Sequence, residues 1–428
     1  MTSWKQLPLE SFASAERGAI TDGPFGSNLT SAHYTDSGPQ VVRLQNIGDG
    51  EYKRSPAHIS RDHFDMLRKH EVSAGDLLIA SLGEVLPRAC LMPADIGPAI
   101  VKADCIRVRL SMDVEPRWVL YALQRPEARD WARDQLHGVG RPRLGLKTIR
   151  QIPIPAAPLS EQRRIVELLD DHLSRLDAAE SSLARAMARA AGLERAYVAQ
   201  SFAWQPDGWR EVGVDEITGG DRSRSIIGPF GSNLTTKDYR DDGVPLVFVR
   251  NVVRGDFTSP TRFVSAEKAA DLAAHGVRYG DLVITKMGDP PGSAAVYDSI
   301  KPGIVTADVI RLRPAEGFLS SYLMFAMQSP SVRRVMDRIT SGVAQRKVSL
   351  TRFRDHILFP VPSVDEQARI ANELSDLVDD RTRLNGTIEV SQERCSMLRR
   401  ALLAAAFSGQ LTGAASDSDR IEAIAAAL

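Results

Sequence analysis

The chain has 428 residues, 43% of them hydrophobic and 25% charged, with 54 basic side chains balancing 54 acidic ones. That length allows two or three domains with cores of their own, and the composition is that of an ordinary soluble globular protein. No apolar run reaches membrane-spanning length, "MTSWKQLPLESF" lacks the features of a signal peptide, and Cys90, Cys105 and Cys395 share no metal-like spacing, so a cytoplasmic protein with buried or idle thiols is expected.

In chain order, the first recognisable element is a loop, "GPFGSNLT" at Gly23–Thr30, and the same eight letters return 205 residues later at Gly228–Thr235. The likeness extends well beyond it. "WKQLPLESF" from Trp4 matches "WREVGVDEI" from Trp209, and "HYTDSGPQVVRLQNIGDGEY" from His33 aligns with "DYRDDGVPLVFVRNVVRGDF" from Asp238. "AGDLLIASLG" pairs with "YGDLVITKMG", "IVKADCIRVRL" with "IVTADVIRLRP", and "PLSEQRRI" with "SVDEQARI". Self-similarity at so long a period means two homologous halves. Within each half, β-branched runs bounded by Gly, Asp and Asn predict strands over Val41–Ile47, Leu77–Ser81 and Ile100–Leu110, and over Leu246–Val253, Leu282–Lys286 and Ile304–Arg313. Helical pairs follow over Trp118–Gln135 and Leu319–Ile339, with Pro126 and Pro330 suited to first helical turns.

Each half ends in a long helix. Positions 165, 169, 172, 176, 179, 183, 186, 190, 193 and 197 form a heptad seam in the first, as do 370 through 402 at the same steps in the second. His172 and Arg381 interrupt it, either as register controls or as side chains that reach out to solvent. Ser363-Val-Asp-Glu366 fits a capping box. A helix of about 40 residues is roughly 60 Å long, a spacer between two globules.

Little in the sequence points to catalysis. "GDPPG" at Gly288–Gly292 is similar to the Asp-Pro-Pro-aromatic loop of amino-group DNA methyltransferases, with glycine in place of the aromatic, and the first copy reads "GEVLP". The eight histidines form no metal set, no GxSxG elbow or Walker ending is present, and Ser27 and Ser232 have no duplicated histidine to serve as base. The chain reads as non-catalytic.

Its repeated polar positions offer candidates for phosphate and base contacts instead, each with a plain turn as the other reading. Gly26-Ser27-Asn28 and Gly231-Ser232-Asn233 fit both a phosphate cradle and a glycine turn. Arg43, Gln45 and Asn46, and Arg250 and Asn251 after the matching strand, are base-reading side-chain types, although a turn network also accounts for them. Before each long helix, "GVGRPRLGLKTIRQI" and "GVAQRKVSLTRFRDHI" present Arg141, Arg143 and Lys147, and Gln345, Arg346 and Lys347, beside small residues. A handful of such cations on phosphates gives a steep salt dependence.

The ordered series "GPFGS", "GDLL/VI", "I-V-x-A-D" and "P-L-S-E-Q-R-R-I" before a long helix, twice over, resembles the specificity subunits of type I DNA restriction–modification enzymes, as does the ending "LRRALLAAAFSGQL". The resemblance runs from Trp4 to about Thr412. It implies an α+β architecture of two homologous mixed α/β target recognition domains separated by two long helices packed as an antiparallel coiled coil. The expected divisions are 1–158 for the first recognition domain and 159–203 for the central helix. They continue with 204–362 for the second domain, 363–412 for the C-terminal helix and 413–428 for a tail.

It further implies that each globule reads one half of a split, asymmetric site in double-stranded DNA. The helices would fix the spacer and dock two methyltransferase subunits, through which motor-nuclease subunits join. This chain would need no cofactor, binding neither S-adenosylmethionine nor ATP, and would not touch a membrane. Two other readings stay open at this point. One is a self-contained methyltransferase or nuclease built around Asp289-Pro290-Pro291, and the other is a coiled-coil adaptor that binds no DNA.

Overall fold

A computed structural model describes the chain except residues 1–3, 137–141, 204–207, 260–261, 289, 343–345, 412–415 and 428. Two compact units divide it: Met1–Ala184 with Glu389–Leu428, and Arg185–Ile388.

In the first unit, one antiparallel sheet runs in the order Ile20–Asp22, Cys105–Val108, Leu77–Ala80, Arg88–Leu91. A second runs His58–Ile59, Tyr34–Val42, Ala99–Val101, Glu71–Val72, with the central pair parallel. Gln6–Pro8 pairs with Pro153–Pro155 and ties the start of the globule to its end. The second unit repeats this order strand for strand. Ser225–Ile227, Val309–Leu312, Leu282–Thr285 and Ala294–Val296 make one sheet, and Phe263–Val264, Val244–Val247, Gly303–Val305 and Gly276–Val277 the other. Arg210–Gly213 against Leu358–Val361 closes that globule. Leu77–Ala80 and Leu282–Thr285 are buried at every position, which is why the first reads as an unbroken apolar run and the second is apolar up to Thr285.

The repeated letters outside the strands are mostly framework. Asp76 and Asp281, from the two "GDL" sequences, pair with Arg109 and Arg313, each one residue past the end of the neighbouring strand. Gln162 and Gln367, from the two "EQ" sequences, are buried; each accepts from a backbone N–H (Glu115, Leu319) and donates to the carbonyl just before its helix (Ala157, Pro362). Trp118 and Tyr322 stand at equivalent positions and donate to the carbonyls of Pro155 and Pro360.

The helices Pro116–Gln124 and Pro126–Asp134, and Ser320–Ala326 and Pro330–Ile339, lie over the sheets, with Pro126 and Pro330 in first turns as expected. The long helices span Leu159–Ala203 and Val364–Phe407. In the first unit, Ile165, Leu169 and Leu173 share a core with Leu402, Leu403 and Phe407, and Phe407 lies 4.5 Å from Trp118, ring to ring. In the second, Val198 and Phe202 join Ile370, Ala371 and Leu374, with Phe202 5.7 Å from Tyr322. Within each unit, therefore, the beginning of one long helix runs antiparallel to the end of the other. Residues Ser416–Ala426 form a further helix, whose Ile421 enters the first core.

Several expectations change. Ile100–Leu110 is two strands, because Asp104 takes a left-handed turn with φ 66° between them. The strand expected over Leu246–Val253 stops at Val247, and Val249–Arg254 is helical. The Asn251 side chain accepts from Phe248 N–H and starts that turn of helix. The heptad seam drifts: Leu193 and Tyr197 are exposed, whereas Leu173, Val198 and Phe202 are buried. A straight helix slips about 20° per heptad against a strict 3.5-residue repeat, which over four heptads moves the buried stripe by about one residue. Arg381 leaves the seam as a half-buried ion pair with Glu194 at 2.8 Å. Of the capping box, the half from Glu366 N–H to Ser363 Oγ is present, while the Glu366 carboxylate turns to Arg369.

A duplicated histidine does exist, in His70 and His275. Each meets a backbone carbonyl through Nδ1, that of Asp22 at 2.6 Å and that of Ile227 at 2.7 Å. They pin the strand before each repeated loop and face no serine hydroxyl among their hydrogen bonds. Among the described residues, no group of His, Cys, Asp or Glu is arranged to hold a metal. No described helix is long and apolar enough to cross a membrane.

Candidate nucleic-acid interface

The repeated loop is shaped by its glycines. A Cβ on Gly23 would come 2.1 Å from the Lys102 carbonyl carbon, and one on Gly228 2.2 Å from that of Thr306. No side chain fits where the loop crosses the neighbouring backbone. Gly26 and Gly231 then turn the chain with φ 63° and 60°. Ser27, Asn28, Ser232 and Asn233 are left exposed, while Asn28 Nδ2 donates to Phe25 O at 3.3 Å. Thr30 and Thr235 close the loop through local bonds to His33 and Asp238.

The basic segment before each long helix comes to the same place. In the first unit, Arg143 bridges to Leu82 and Leu144 N–H donates to Ser81 O, which fastens this segment to the end of the central strand. In the second, Lys347 bridges to Met287 and Val348 N–H donates to Lys286 O. Arg143 pairs with Asp104 at 2.6 Å, and its guanidinium lies 5.6 Å from the centroid of the Phe25 ring. In the second unit the cation on the Phe230 ring is Lys286, at 4.5 Å. Burial, with the neighbouring charge of Lys347 adding to it, holds the Lys286 ammonium below the usual lysine pKa despite the opposing pull of Asp308. Lys147 stands exposed on the short helix Leu146–Arg150, and Arg346 forms an ion pair with Asp337 at 3.4 Å.

The strand-end residues divide by role. Asn46 is 1% exposed and Asn251 6%. The Asn46 amide donates to Lys53 O and Ser55 O and accepts from Arg43 N–H; that of Asn251 donates to Asp256 O and accepts from Phe248 N–H. Both asparagines are built into the turn rather than presented. Around them the surfaces differ. In the first unit, Arg43 donates to Ser55 O at 3.0 Å and Gln45 to Ser55 Oγ at 2.6 Å. In the second, Arg250 stacks 4.6 Å from the Phe248 centroid, and Tyr239, Phe248, Arg250 and Arg262 line an open cavity of about 410 Å³.

Arg141, Gln345 and Asp289 lie outside the described residues. The rest of the "GDPPG" sequence belongs to the connection between strands Leu282–Thr285 and Ala294–Val296. Gly292 N–H donates to Thr285 O there, and Pro291 O accepts from Arg333. Thr285, Pro291 and Gly292 thus account for that sequence as a strand connection.

Residues 75–184 match the family model described as the type I restriction modification DNA specificity domain. The chain is 22% identical over 427 residues to the type I restriction enzyme EcoBI specificity subunit of Escherichia coli, covering 90% of this chain and 88% of that one. It is 25% identical over 273 residues to the EcoKI specificity subunit of Escherichia coli strain K12, covering 61% and 58%. A solved chain, from work on complex assembly and conformational transition of the type I R-M system, superimposes with a TM-score of 0.70. That match covers 96% of this chain and 99% of the other at 20% identity, and it bears on the fold. Along most of its length the chain is thus similar to type I specificity subunits.

Each unit of the duplicated fold brings together its "GPFGSN" loop, the end of its central strand and the basic segment before its long helix. Phe25, Phe230, Lys286 and Asp104 belong to this face as well, and the sequence comparison missed them. Lys286 aligns with Ser81 in the first copy, so matching the halves position by position conceals its role.

Proposed function

We propose that this chain is the DNA sequence-recognition subunit of a type I restriction–modification complex, and that each unit reads one half of a split, asymmetric target. One observation carries the reading: two units of identical strand order hold the same loop and a basic segment on one face, yet differ in the side chains beside them. Arg43 and Gln45 in one unit stand where Phe248 and Arg250 stand in the other.

In this reading the backbone is met by Gly26, Ser27, Asn28, Arg143 and Lys147 in the first unit, and by Gly231, Ser232, Asn233, Arg346 and Lys347 in the second. Arg141 and Gln345 extend the two basic segments. Such contacts set position and affinity, and base edges set sequence. Base reading falls to Arg43, Gln45 and Arg250, since arginine suits guanine and glutamine suits adenine in the major groove. Asn46 and Asn251 act indirectly by holding those turns. The chain is non-catalytic; two methyltransferase subunits dock on it and supply the methyl donor site, and motor-nuclease subunits join through them.

The test is reconstitution. The chain combined with its modification subunits methylates adenine in a split site, and neither component does so alone. Methylation by the isolated chain would overturn the assignment.

A further inference from the structure

Phe25 and Phe230, in the repeated loop, remain 45% and 53% exposed. A phenylalanine left in water forgoes the burial that usually justifies it. The loop's path is already fixed by Gly23 and Gly26 in one unit and by Gly228 and Gly231 in the other, so the turn does not demand the rings. Each ring nevertheless carries a cation on its face, Arg143 at 5.6 Å and Lys286 at 4.5 Å. The cations come from different places in the two copies. Arg143 aligns with Lys347, and Lys286 aligns with Ser81. Duplication alone accounts for two identical loops. It does not account for a cation that reaches the same ring from two unrelated positions.

We propose that Phe25 with Arg143, and Phe230 with Lys286, are equivalent contact points for the sugar–phosphate backbone of duplex DNA. The ring packs on a deoxyribose and the cation pairs with the adjacent phosphate. Asp104 engages the Arg143 fork through Nη2 and orients it. A contact of this kind touches no base edge, so one loop sequence serves two different half-sites. This inference rests on the DNA-recognition function proposed above.

The test uses the full chain with its modification subunits and two duplexes, one of random sequence and one carrying the site that the complex methylates. Phe25→Ala and Phe230→Ala each weaken binding to both duplexes about tenfold, leaving the methylated sequence unchanged. Arg143→Gln and Lys286→Gln each reduce the slope of log affinity against log salt by about one. Phe25→Leu with Phe230→Leu keeps apolar volume in the loops; it loses affinity in the same direction and decides the matter should the alanine pair fail to fold. Unchanged affinity in a folded double variant, or a loss confined to one sequence, overturns the proposal. If the wild-type complex binds neither duplex, the proposed function fails first, and the two failures are thereby separated.

Discussion

Arg313 grips Asp281 through two parallel hydrogen bonds of 2.7 Å, and the carboxylate beneath that grip is 2% exposed. Asp281 also accepts from Arg278 N–H, so one side chain ties the sheet to the turn that enters it. The first unit repeats the pair as Arg109 and Asp76, but there Arg109 also holds Glu16 at 2.8 Å. Removing one partner of a buried pair strands the other. Asp281→Ala is therefore expected to cost about 3 kcal/mol. Asp76→Ala costs less, because Glu16 still neutralises Arg109. Urea unfolding of the two variants checks the order.

His70 gives the first unit a pH dependence. Burial pushes its imidazolium below the ordinary histidine pKa, and the bond to the Asp22 carbonyl offsets part of that shift. The unfolded chain takes up the proton near pH 6.5 while the folded chain still resists it. Stability is thus complete above that pH and falls as the pH drops through 6.5, until the folded pKa is reached. His70→Asn, which retains a donor for the carbonyl, should flatten the loss that sets in as the pH drops through 6.5. Equal slopes in both proteins would remove His70 from this role.

The three thiols separate by burial. Cys90 is fully buried and its pKa is pushed up to about 12; Cys105 is buried beside it and pushed higher. Cys395 is half-buried and lines a cleft of about 510 Å³ with Leu176, Leu183 and Leu398. Thiolates, not thiols, react. N-ethylmaleimide should label one site per native chain, at Cys395, and all three cysteines after denaturation, as read by intact mass.

Arg250 should read sequence in one half-site alone. Arg250→Gln is expected to relax or change one position of the methylated motif, at about 1–3 kcal/mol of discrimination, and to leave the other half-site intact. A uniform loss across all sequences would make Arg250 a backbone contact instead. Methylome sequencing distinguishes the two.

The duplication was legible because "GPFGSNLT", "GDL" and "EQ" each serve the framework of both globules, where one geometry is needed twice. Gly23 against Lys102 and Gln162 across its helix start admit no substitute of another shape. Other features lay beyond pattern reading. Asn46 and Asn251 have the side-chain type of a base reader, and only their burial reveals that they build turns. Val249–Val253 falls within the strand expected from β-branching over Leu246–Val253, and the bond from Phe248 N–H to the Asn251 side chain starts a helix there instead. The pairing of Lys286 with Phe230 depends on a ring and a cation 56 positions apart, with no counterpart in the first copy's alignment.

The most direct test of the account is methylome sequencing of a host with and without this gene, its modification partners present in both. The account predicts adenine methylation at an interrupted motif whose two parts differ in sequence, lost when the gene is removed. Methylation that persists without the gene, or that falls on an uninterrupted motif, would contradict it.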